Sequence, residues 1–218
     1  MDVLKMKQKS RRPDYLEFAK YEKRGEGRHH HQGKSSESLL DKGAILSALA
    51  IEFGQTVLDA GCGNGYMSKE FSQIVGDSGR VYALDPDETG IALLREETKG
   101  TNIVALVGDI TTTTKLPASS IDLIYLSTVF HIFSPEQIKG FEGEVKRLLV
   151  PHGRLAIVEI VKRATPFGPP LNMRLSPEDF AHALRLVPLG AVEVGEYYYM
   201  QLFENRSGAS YDMSSIRK

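Results

Sequence analysis

The feature that most constrains the fold is an alternation that begins near residue 55, where short β-branched runs are separated by segments of helical periodicity. This alternation is typical of βαβ units, which build an α/β domain around a mostly parallel sheet. Two more strands follow closely on one another near the C-terminus, which indicates an antiparallel pair at the end of the sheet. We therefore predict seven strands, at residues 56–60, 80–84, 102–107, 121–126, 154–160, 191–196 and 197–203.

Helices are predicted in the intervals between the strands. Apolar residues recur at helical spacing along residues 67–75, where Gly76 would end the helix, and residues 39–49 form another such segment. Ser134 and Ser176 each precede a Pro-Glu pair and so supply an N-cap followed by proline at the first helical position. The helix after Ser176 is expected to bury three apolar side chains and to end at a proline and a glycine, namely Phe180, Leu184, Val187, Pro188 and Gly190.

The composition fits one soluble domain with terminal extensions. Of the 218 residues, 41% are hydrophobic and 25% are charged. No apolar run approaches the roughly 20 residues that span a bilayer. The net charge of −1 gives no field that would favour nucleic acid, and the single cysteine and the lack of an N-terminal signal pattern favour the cytoplasm. We expect a domain at residues 36–204, an N-terminal extension at 1–35 that could act as a lid, and a flexible tail at 205–218.

Three glycines follow the first predicted strand in the sequence VLDAGCGNGY, residues 57–66. Gly61, Gly63 and Gly65 would allow positive φ at a strand-to-helix turn and would let a ligand approach backbone N–H groups. The alternative is that these glycines serve packing alone. The turn follows the first strand of the array, where open sheets bind ligands at a topological switch point, and this position favours binding.

Acidic residues stand at or near the ends of three successive strands, at Asp59, Asp85 and Asp109. An acid at Asp85 can accept from both hydroxyls of a ribose; alternatively, it caps a helix that starts at Pro86. Asp109 could accept from an adenine amino group or cap its own turn. Because the carboxyl ends of parallel strands meet at one edge of a sheet, we expect the three carboxylates to converge there.

Together these residues resemble a class I S-adenosylmethionine-dependent methyltransferase. The resemblance covers roughly residues 36–204 and rests on VLDAGCGNGY, YALDPD, GDI, IDLIYLSTVFHIF and LLVPHGRLAIVEI. Within the superfamily the chain is most similar to small-molecule methyltransferases that resemble those of ubiquinone biosynthesis. The resemblance implies a Rossmann-like three-layer αβα sandwich with strand order 3-2-1-4-5-7-6 and an antiparallel last strand. It also implies S-adenosyl-L-methionine as the cofactor.

The resemblance further implies roles for individual residues. Asp59 and the glycine loop would hold the methionine part of the cofactor, and Ser127 would contact the methionine end. Asp85 would bind the ribose, and Asp109 with the Ile110 backbone would read adenine. The implied cofactor-binding set is Asp59, Gly61, Cys62, Gly63, Asn64, Gly65, Asp85, Pro86, Asp109, Ile110 and Ser127. The spacing G-x-G-x-G also differs from the dinucleotide pattern G-x-G-x-x-G, which favours this cofactor over NAD.

Candidates for the acceptor side follow the fourth and fifth strands. His131 could deprotonate an acceptor or be structural, and no other catalytic residue is predicted. Four apolar residues could form an acceptor wall, with core packing the equal alternative for the first two: Phe130, Phe133, Phe167 and Met173. Tyr197, Tyr198 and Tyr199 lie on one predicted strand and would face alternate sides of the sheet.

Three consecutive histidines, His29, His30 and His31, stand before the first predicted helix. Adjacent residues rarely direct their rings at one ion, and no carboxylate or cysteine pattern completes a site, so no metal is predicted. The histidines and Tyr21 could instead belong to an N-terminal lid near the methionine end of the cofactor. Cys62 is expected to be a small filler between glycines.

Methyl transfer from S-adenosylmethionine to a small-molecule acceptor is the leading hypothesis. The methyl group of a sulfonium is already activated, so the protein mainly needs to align a nucleophile and exclude water. A non-catalytic S-adenosylmethionine-binding or nucleotide-binding protein is a second hypothesis, because such chemistry does not require a general base. An NAD(P)-dependent oxidoreductase is disfavoured, because neither a Tyr-x-x-x-Lys motif nor a separate substrate domain is present.

Overall fold

The computed structural model describes residues 36–206. Its seven strands are Thr56–Ala60 (β1), Arg80–Asp85 (β2), Ile103–Val107 (β3), Ile121–Ser127 (β4), Leu149–Ile160 (β5), Val187–Gly195 (β6) and Tyr198–Glu204 (β7). Its five α-helices are Lys42–Leu49 (α1), Tyr66–Val75 (α2), Glu88–Glu97 (α3), Pro135–Leu148 (α4) and Pro177–Ala183 (α5). Short 3-10 turns occur at Ser36–Leu39, Phe130–Ile132 and Leu171–Met173.

The strands form one sheet in the order β3-β2-β1-β4-β5-β7-β6. The first five strands pair in parallel, whereas β7 runs antiparallel to both β5 and β6. The strand order and the reversed last strand confirm the prediction. A hairpin joins β6 to β7 because these two strands follow one another closely, whereas parallel neighbours need a longer crossover.

Two apolar cores cover the two faces of the sheet and make three layers. One core takes side chains from α1, α2 and α3, and the other takes them from α4 and α5. Tyr198 belongs to the first core and Tyr199 to the second, as strand alternation predicts. The prediction was wrong for Tyr197, which lies in the turn before β7 and packs against the same core as Tyr198. None of the helices within residues 36–206 is long and apolar enough to cross a membrane.

The two serine N-caps of the sequence are present in the structure. Ser134 Oγ accepts from the backbone N–H of Gln137 at 3.2 Å, and the Gln137 side chain accepts from the Ser134 N–H at 2.9 Å. Ser176 and Asp179 form the same reciprocal capping box at the start of α5. Both helices therefore begin where the sequence predicted.

The prediction for the end of α5 was wrong. The helix ends at Ala183, and Val187, which was expected on its buried face, begins β6 instead. Pro188 and Gly190 were expected to close the helix but lie within β6 opposite residues of β7. Proline is tolerated there because β6 is the outermost strand and the missing N–H breaks no essential bond of the sheet. The register shift beside Pro188 accompanies this irregularity.

Other boundaries moved by a few residues. α1 begins at Lys42 rather than at residue 39, because Asp41 acts as N-cap and accepts from the Ala44 N–H at 2.9 Å. β5 begins at Leu149 rather than at residue 154, and β3 begins one residue later than predicted. Asn205, expected in the C-terminal tail, is buried and donates from its backbone N–H to the Gly153 carbonyl at 2.8 Å.

Candidate functional site

The glycine loop joins β1 to α2 at the centre of the sheet. β1 pairs with β2 on one side and with β4 on the other, so the chain order reverses at this strand. The N–H groups of Gly61 and Cys62 both donate to the carbonyl of Leu84, at 2.7 and 3.1 Å, and tie the loop to β2. The loop therefore lies at the switch point where open α/β sheets bind ligands.

The three glycines are required for different reasons, although all have positive φ: 72° at Gly61, 53° at Gly63 and 74° at Gly65. A Cβ on Gly65 would lie 2.5 Å from Leu94 Cδ1, and one on Gly61 would lie 2.8 Å from Val129 Cγ2. A Cβ on Gly63 would meet no other atom of the described residues within 4 Å. The packing alternative thus accounts for Gly61 and Gly65, whereas open space lies beside Gly63. The N–H groups of all three glycines are paired within the chain, with Leu84, Asp85 and Cys62 as acceptors, so a ligand would meet the space beside Gly63 rather than unpaired N–H groups.

Asp85 fixes the exposed part of the loop. Its Oδ2 accepts from the Gly63 N–H and its Oδ1 from the Asp87 N–H, both at 2.9 Å. Asp87 is the N-cap of α3 and accepts from the Thr89 N–H at 3.0 Å. The alternative that Asp85 caps this helix is therefore wrong, and Pro86 lies exposed between the two acids. Each carboxylate oxygen of Asp85 retains a lone pair for another donor.

Asp59 is only 3% exposed, and the Ser68 hydroxyl donates to its Oδ2 at 2.6 Å. Burial raises the pKa of Asp59 to about 7, the hydrogen bond from Ser68 opposes that rise, and the nearby Asp85 adds to it. Ser68 was not among the predicted site residues. A polar residue on the buried face of an amphipathic helix is the sequence signal that could have identified it.

Asp109 follows β3 and organises its own turn. Its Oδ1 accepts from the N–H and the hydroxyl of Thr111, at 2.8 and 2.7 Å, as the self-capping alternative predicted. Within residues 36–206, Oδ2 has no such partner. The Gly108 N–H donates to the Asp85 carbonyl at 3.1 Å, which ties the chain just before Asp109 to the end of β2. Ile110 is buried in the core of α4 and α5.

Two hydroxyls near the end of β4 are buried with no hydrogen-bond partner among the described residues, those of Tyr125 and Ser127. Burial raises the pKa of Tyr125, and the neighbouring Ser127 hydroxyl partly offsets this rise without the geometry of a full hydrogen bond. Tyr125 is also the register neighbour of Asp59. An unsatisfied buried hydroxyl costs about 1–3 kcal/mol, so a ligand that supplies the missing partner is favoured there.

The ends of four neighbouring strands therefore meet at one edge of the sheet. Asp59, the glycine loop and Asp85 lie close together there, and Asp109 and Ser127 stand at the ends of β3 and β4 on the same edge. Asn64, in the loop, accepts from the Tyr66 N–H at 3.1 Å and shapes the start of α2.

His131, just beyond this edge, pairs with a residue that the sequence reasoning missed. Its Nδ1 lies 3.0 Å from Oε2 and 3.1 Å from Oε1 of Glu159, which is 1% exposed in β5. A glutamate inside the apolar strand RLAIVEI was the available signal, because a buried acid needs a partner.

The predicted apolar wall divides into two parts. Phe130 is 1% exposed and packs with Phe133 among the aromatic rings of α4 and α5, at centroid distances of 4.9–5.6 Å. Core packing is therefore the role of this pair. Phe167 and Met173 are exposed on the segment between β5 and α5.

Arg174 stabilises the segment between β5 and α5, and no role was predicted for it. It is 7% exposed, and its guanidinium donates at 2.6–3.3 Å to the backbone carbonyls of Pro169, Val161, Arg163 and Phe167. These bonds fix the course of a long segment that has little secondary structure of its own. They thereby position Phe167 beside the ring of Tyr197, at a centroid distance of 5.4 Å.

Cys62 has the environment of a filler. It is buried, and burial together with the carboxylates of Asp59 and Asp85 raises the pKa of its thiol. A protonated, buried thiol is unreactive.

In the part of the chain that the structure describes, no cluster of His, Cys, Asp and Glu is arranged to hold a metal. The predictions for Tyr21 and for His29 to His31 lie outside the described residues.

Comparison with known proteins points to one family. A family model described as "Methyltransferase domain" matches residues 57–153. The ubiquinone/menaquinone biosynthesis C-methyltransferase of Cronobacter sakazakii is 29% identical over 161 residues, 71% of this chain and 61% of that protein. The probable cobalt-precorrin-6B C(15)-methyltransferase (decarboxylating) of Saccharolobus solfataricus is 36% identical over 108 residues, 48% of each chain. The matched part of this chain thus spans less than two thirds of either relative.

A solved structure agrees with these sequence matches. The crystal structure of a SAM-dependent methyltransferase from Aquifex aeolicus has a TM-score of 0.68 and 27% identity, covering 79% of this chain and 93% of that chain. The sheet order with its antiparallel β7, the family match and the relatives all agree with the resemblance seen in the sequence. In its sheet order and across these matched segments, the chain is similar to class I S-adenosylmethionine-dependent methyltransferases.

Proposed function

We propose that the protein transfers a methyl group from S-adenosyl-L-methionine to a small-molecule acceptor. The observation that carries this proposal is the open space beside Gly63, whose N–H donates to the Asp85 carboxylate at the switch point of the sheet. When bound, the cofactor supplies a methyl group activated for in-line attack. The protein's part is then to bind, orient and exclude water.

The adenosine part of the cofactor is assigned to the ends of β2 and β3. Asp85, followed by Pro86, binds the ribose hydroxyls through the lone pairs that remain on its oxygens. Asp109 accepts from the adenine amino group through Oδ2, and the Ile110 backbone contacts the ring. The support for this assignment is that Asp85 and Asp109 stand at the ends of neighbouring parallel strands, at the same edge of the sheet.

The methionine part is assigned to the glycine loop and its neighbours. Asp59 and the backbone from Gly61 to Gly65, with Cys62 and Asn64, hold its polar end. Ser127 supplies a hydroxyl that has no partner within residues 36–206. A cationic group near Asp59 would favour its ionised form, which burial otherwise opposes.

A small-molecule acceptor is favoured by the relatives and by composition. The similar proteins are named for ubiquinone/menaquinone biosynthesis and for cobalt-precorrin methylation. The net charge of −1 offers no field for nucleic acid. We place catalysis in residues 36–204 and a lid in residues 1–35, and we place the protein in the cytoplasm. Deletion of residues 1–35 is then expected to weaken cofactor binding while α1 to β7 stay folded.

Calorimetry with S-adenosylhomocysteine and NAD tests the cofactor assignment. The Gly63→Ala variant is expected to lose at least about tenfold in affinity for S-adenosylhomocysteine, because a side chain would enter the open face of the loop. Gly100→Ala is the matched control, since Gly100 also has positive φ and open space but lies between α3 and β3. Binding of NAD instead, or equal effects of the two substitutions, would contradict the assignment.

Mass spectrometry with trideuteromethyl S-adenosylmethionine tests transfer itself. Four acceptors offer one nucleophile type each: catechol a hydroxyl, acetylacetone a carbon acid, benzylamine an amine and thiophenol a thiol. Transfer to at least one of them is expected. Tight cofactor binding with no transfer to any of the four would favour the non-catalytic alternative.

A further inference from the structure

The Glu159 carboxylate contacts two groups of His131, the ring Nδ1 and the backbone N–H. Both carboxylate oxygens lie within 3.1 Å of Nδ1, and Oε1 also accepts from the backbone N–H of His131 at 3.2 Å. The His131 and Glu159 side chains are 16% and 2% exposed. The ring is thus oriented by a buried acid that also fixes the turn carrying it.

No lysine or arginine within residues 36–206 forms an ion pair with Glu159. The nearby titratable groups on β7 are Tyr198 and Tyr199, and Tyr199 donates its hydroxyl to the Leu175 carbonyl at 2.7 Å instead. The histidine is therefore the side-chain donor that satisfies this carboxylate. With Glu159 ionised and the imidazole neutral, Nδ1 would donate to the carboxylate and Nε2 would present a lone pair. Nε2 has no partner among the described residues.

The pair is connected to the cofactor site by a short segment of chain. Ser127 ends β4, Val129 packs against Gly61 of the glycine loop, and His131 follows two residues later. The Thr128 N–H donates to the Val158 carbonyl at 2.8 Å, next to Glu159 in β5. This segment thus links the methionine end of the cofactor site to the pair and leaves little freedom between them.

We propose that Nε2 of His131 is the general base for the acceptor and that Glu159 is its positioning residue. This proposal rests on the proposed function and adds the substrate class, a hydroxyl or carbon-acid acceptor whose nucleophile must lose a proton. His131 Nε2 takes that proton, and the electron pair left on oxygen or carbon forms the bond to the methyl carbon. The carbon–sulfur bond breaks with its pair kept on sulfur, giving neutral S-adenosylhomocysteine. The imidazolium then releases its proton to solvent.

NMR of the imidazole nitrogens tests the geometry without any acceptor. The His131 signals are assigned by difference with the His131→Gln variant. We expect protonated Nδ1, unprotonated Nε2, and a change in the Nε2 shift when S-adenosylhomocysteine is added. A protonated Nε2 overturns the proposal. An Nε2 shift that does not move although calorimetry shows binding also overturns it and leaves the cofactor assignment intact.

Kinetics on the four acceptors test the chemistry. Transfer is expected to catechol or acetylacetone, with kcat lowered about 10²–10⁴-fold in His131→Gln and roughly 10–100-fold in Glu159→Gln, and with KM for S-adenosylmethionine unchanged. His152→Gln is the matched control, because His152 Nδ1 also pairs with a glutamate, Glu204 at 2.8 Å, but at the opposite end of β5.

The outcomes separate this proposal from the proposed function. Preferential transfer to benzylamine or thiophenol overturns the role of His131 and keeps methyl transfer. An unchanged kcat in His131→Gln also overturns the role of His131 and leaves methyl transfer in place. Transfer to none of the four acceptors contradicts the proposed function. The NMR result then decides by itself whether His131 Nε2 is unprotonated, as the proposal for His131 requires.

Discussion

Replacing Asp59 with asparagine is expected to stabilise the ligand-free protein at neutral pH and to remove much of its pH dependence. Asp59 is buried in β1, and its pKa rises from the ordinary 3.8 to about 7, mainly through burial. Between these two pH values the folded state holds a proton that the unfolded state has lost. The free energy of unfolding therefore falls as pH rises through this window and levels off above it.

The magnitude follows from the shift. Each pKa unit corresponds to about 1.4 kcal/mol, and Asp59 is half-ionised in the folded state at pH 7, so its contribution falls by about 2 kcal/mol between pH 5 and pH 7. Asparagine has no charge to bury, and its amide oxygen can still accept from the Ser68 hydroxyl. The free energy of unfolding of the variant should therefore gain about 2 kcal/mol on that of the wild type across this interval. The titration of all other groups cancels in this difference between the two proteins.

Urea unfolding followed by far-ultraviolet circular dichroism at pH 5, 6, 7 and 8 measures this difference, without cofactor and at constant ionic strength. Ser68→Ala is the companion variant: it removes the hydrogen bond that lowers the pKa of Asp59, so the fall in stability should extend to higher pH. A free energy of unfolding that changes with pH equally in wild type and Asp59→Asn would refute the reasoning.

Three further predictions test neighbouring positions. Asp85→Asn should lower affinity for S-adenosylhomocysteine by about tenfold or more in calorimetry. Asp87→Asn, which keeps a good N-cap for α3, should leave this affinity within about twofold of the wild-type value. Equal losses of affinity in the two variants would contradict the ribose assignment. Ser127→Ala should raise the free energy of unfolding of the free protein by about 1 kcal/mol, because the buried hydroxyl lacks a partner among the described residues. The same substitution should weaken S-adenosylhomocysteine binding. A variant in which stability and affinity both rise, or both fall, would argue against a ligand contact at Ser127. Gly140→Ala should lower the free energy of unfolding by about 1–3 kcal/mol in urea, because its Cβ would lie 2.0 Å from a backbone carbonyl oxygen. Gly143→Ala, where the space is open, should raise it by up to about 1 kcal/mol. A tolerated Gly140→Ala would show that this contact is not tight.

Parts of the site could be read from the sequence because they depend on local chemistry. Ser134 and Ser176 cap helices through hydrogen bonds that span three residues, so their motifs suffice. The positions of Asp85 and Asp109 at strand ends follow from the βαβ pattern, since parallel strands end at one edge. The glycine loop is marked by residues that need positive φ.

Other parts depend on contacts between residues far apart in the chain. The sequence left open whether Gly61 and Gly65 serve packing, and only the positions of Val129 and Leu94 decide it. Asp59 looks like any strand aspartate until Ser68 and the surrounding core remove it from water.

The sequence by itself determined the α/β class, the seven strands and the edge of the sheet where a ligand would bind. These follow from hydrophobic periodicity and turn chemistry, which act over a few residues. Only the tertiary structure decided that Val187 starts an edge strand, that Phe130 belongs to the core, and that His131 is held by a buried Glu159. Burial and pairing are properties of the packed chain, because they depend on which distant side chains displace water.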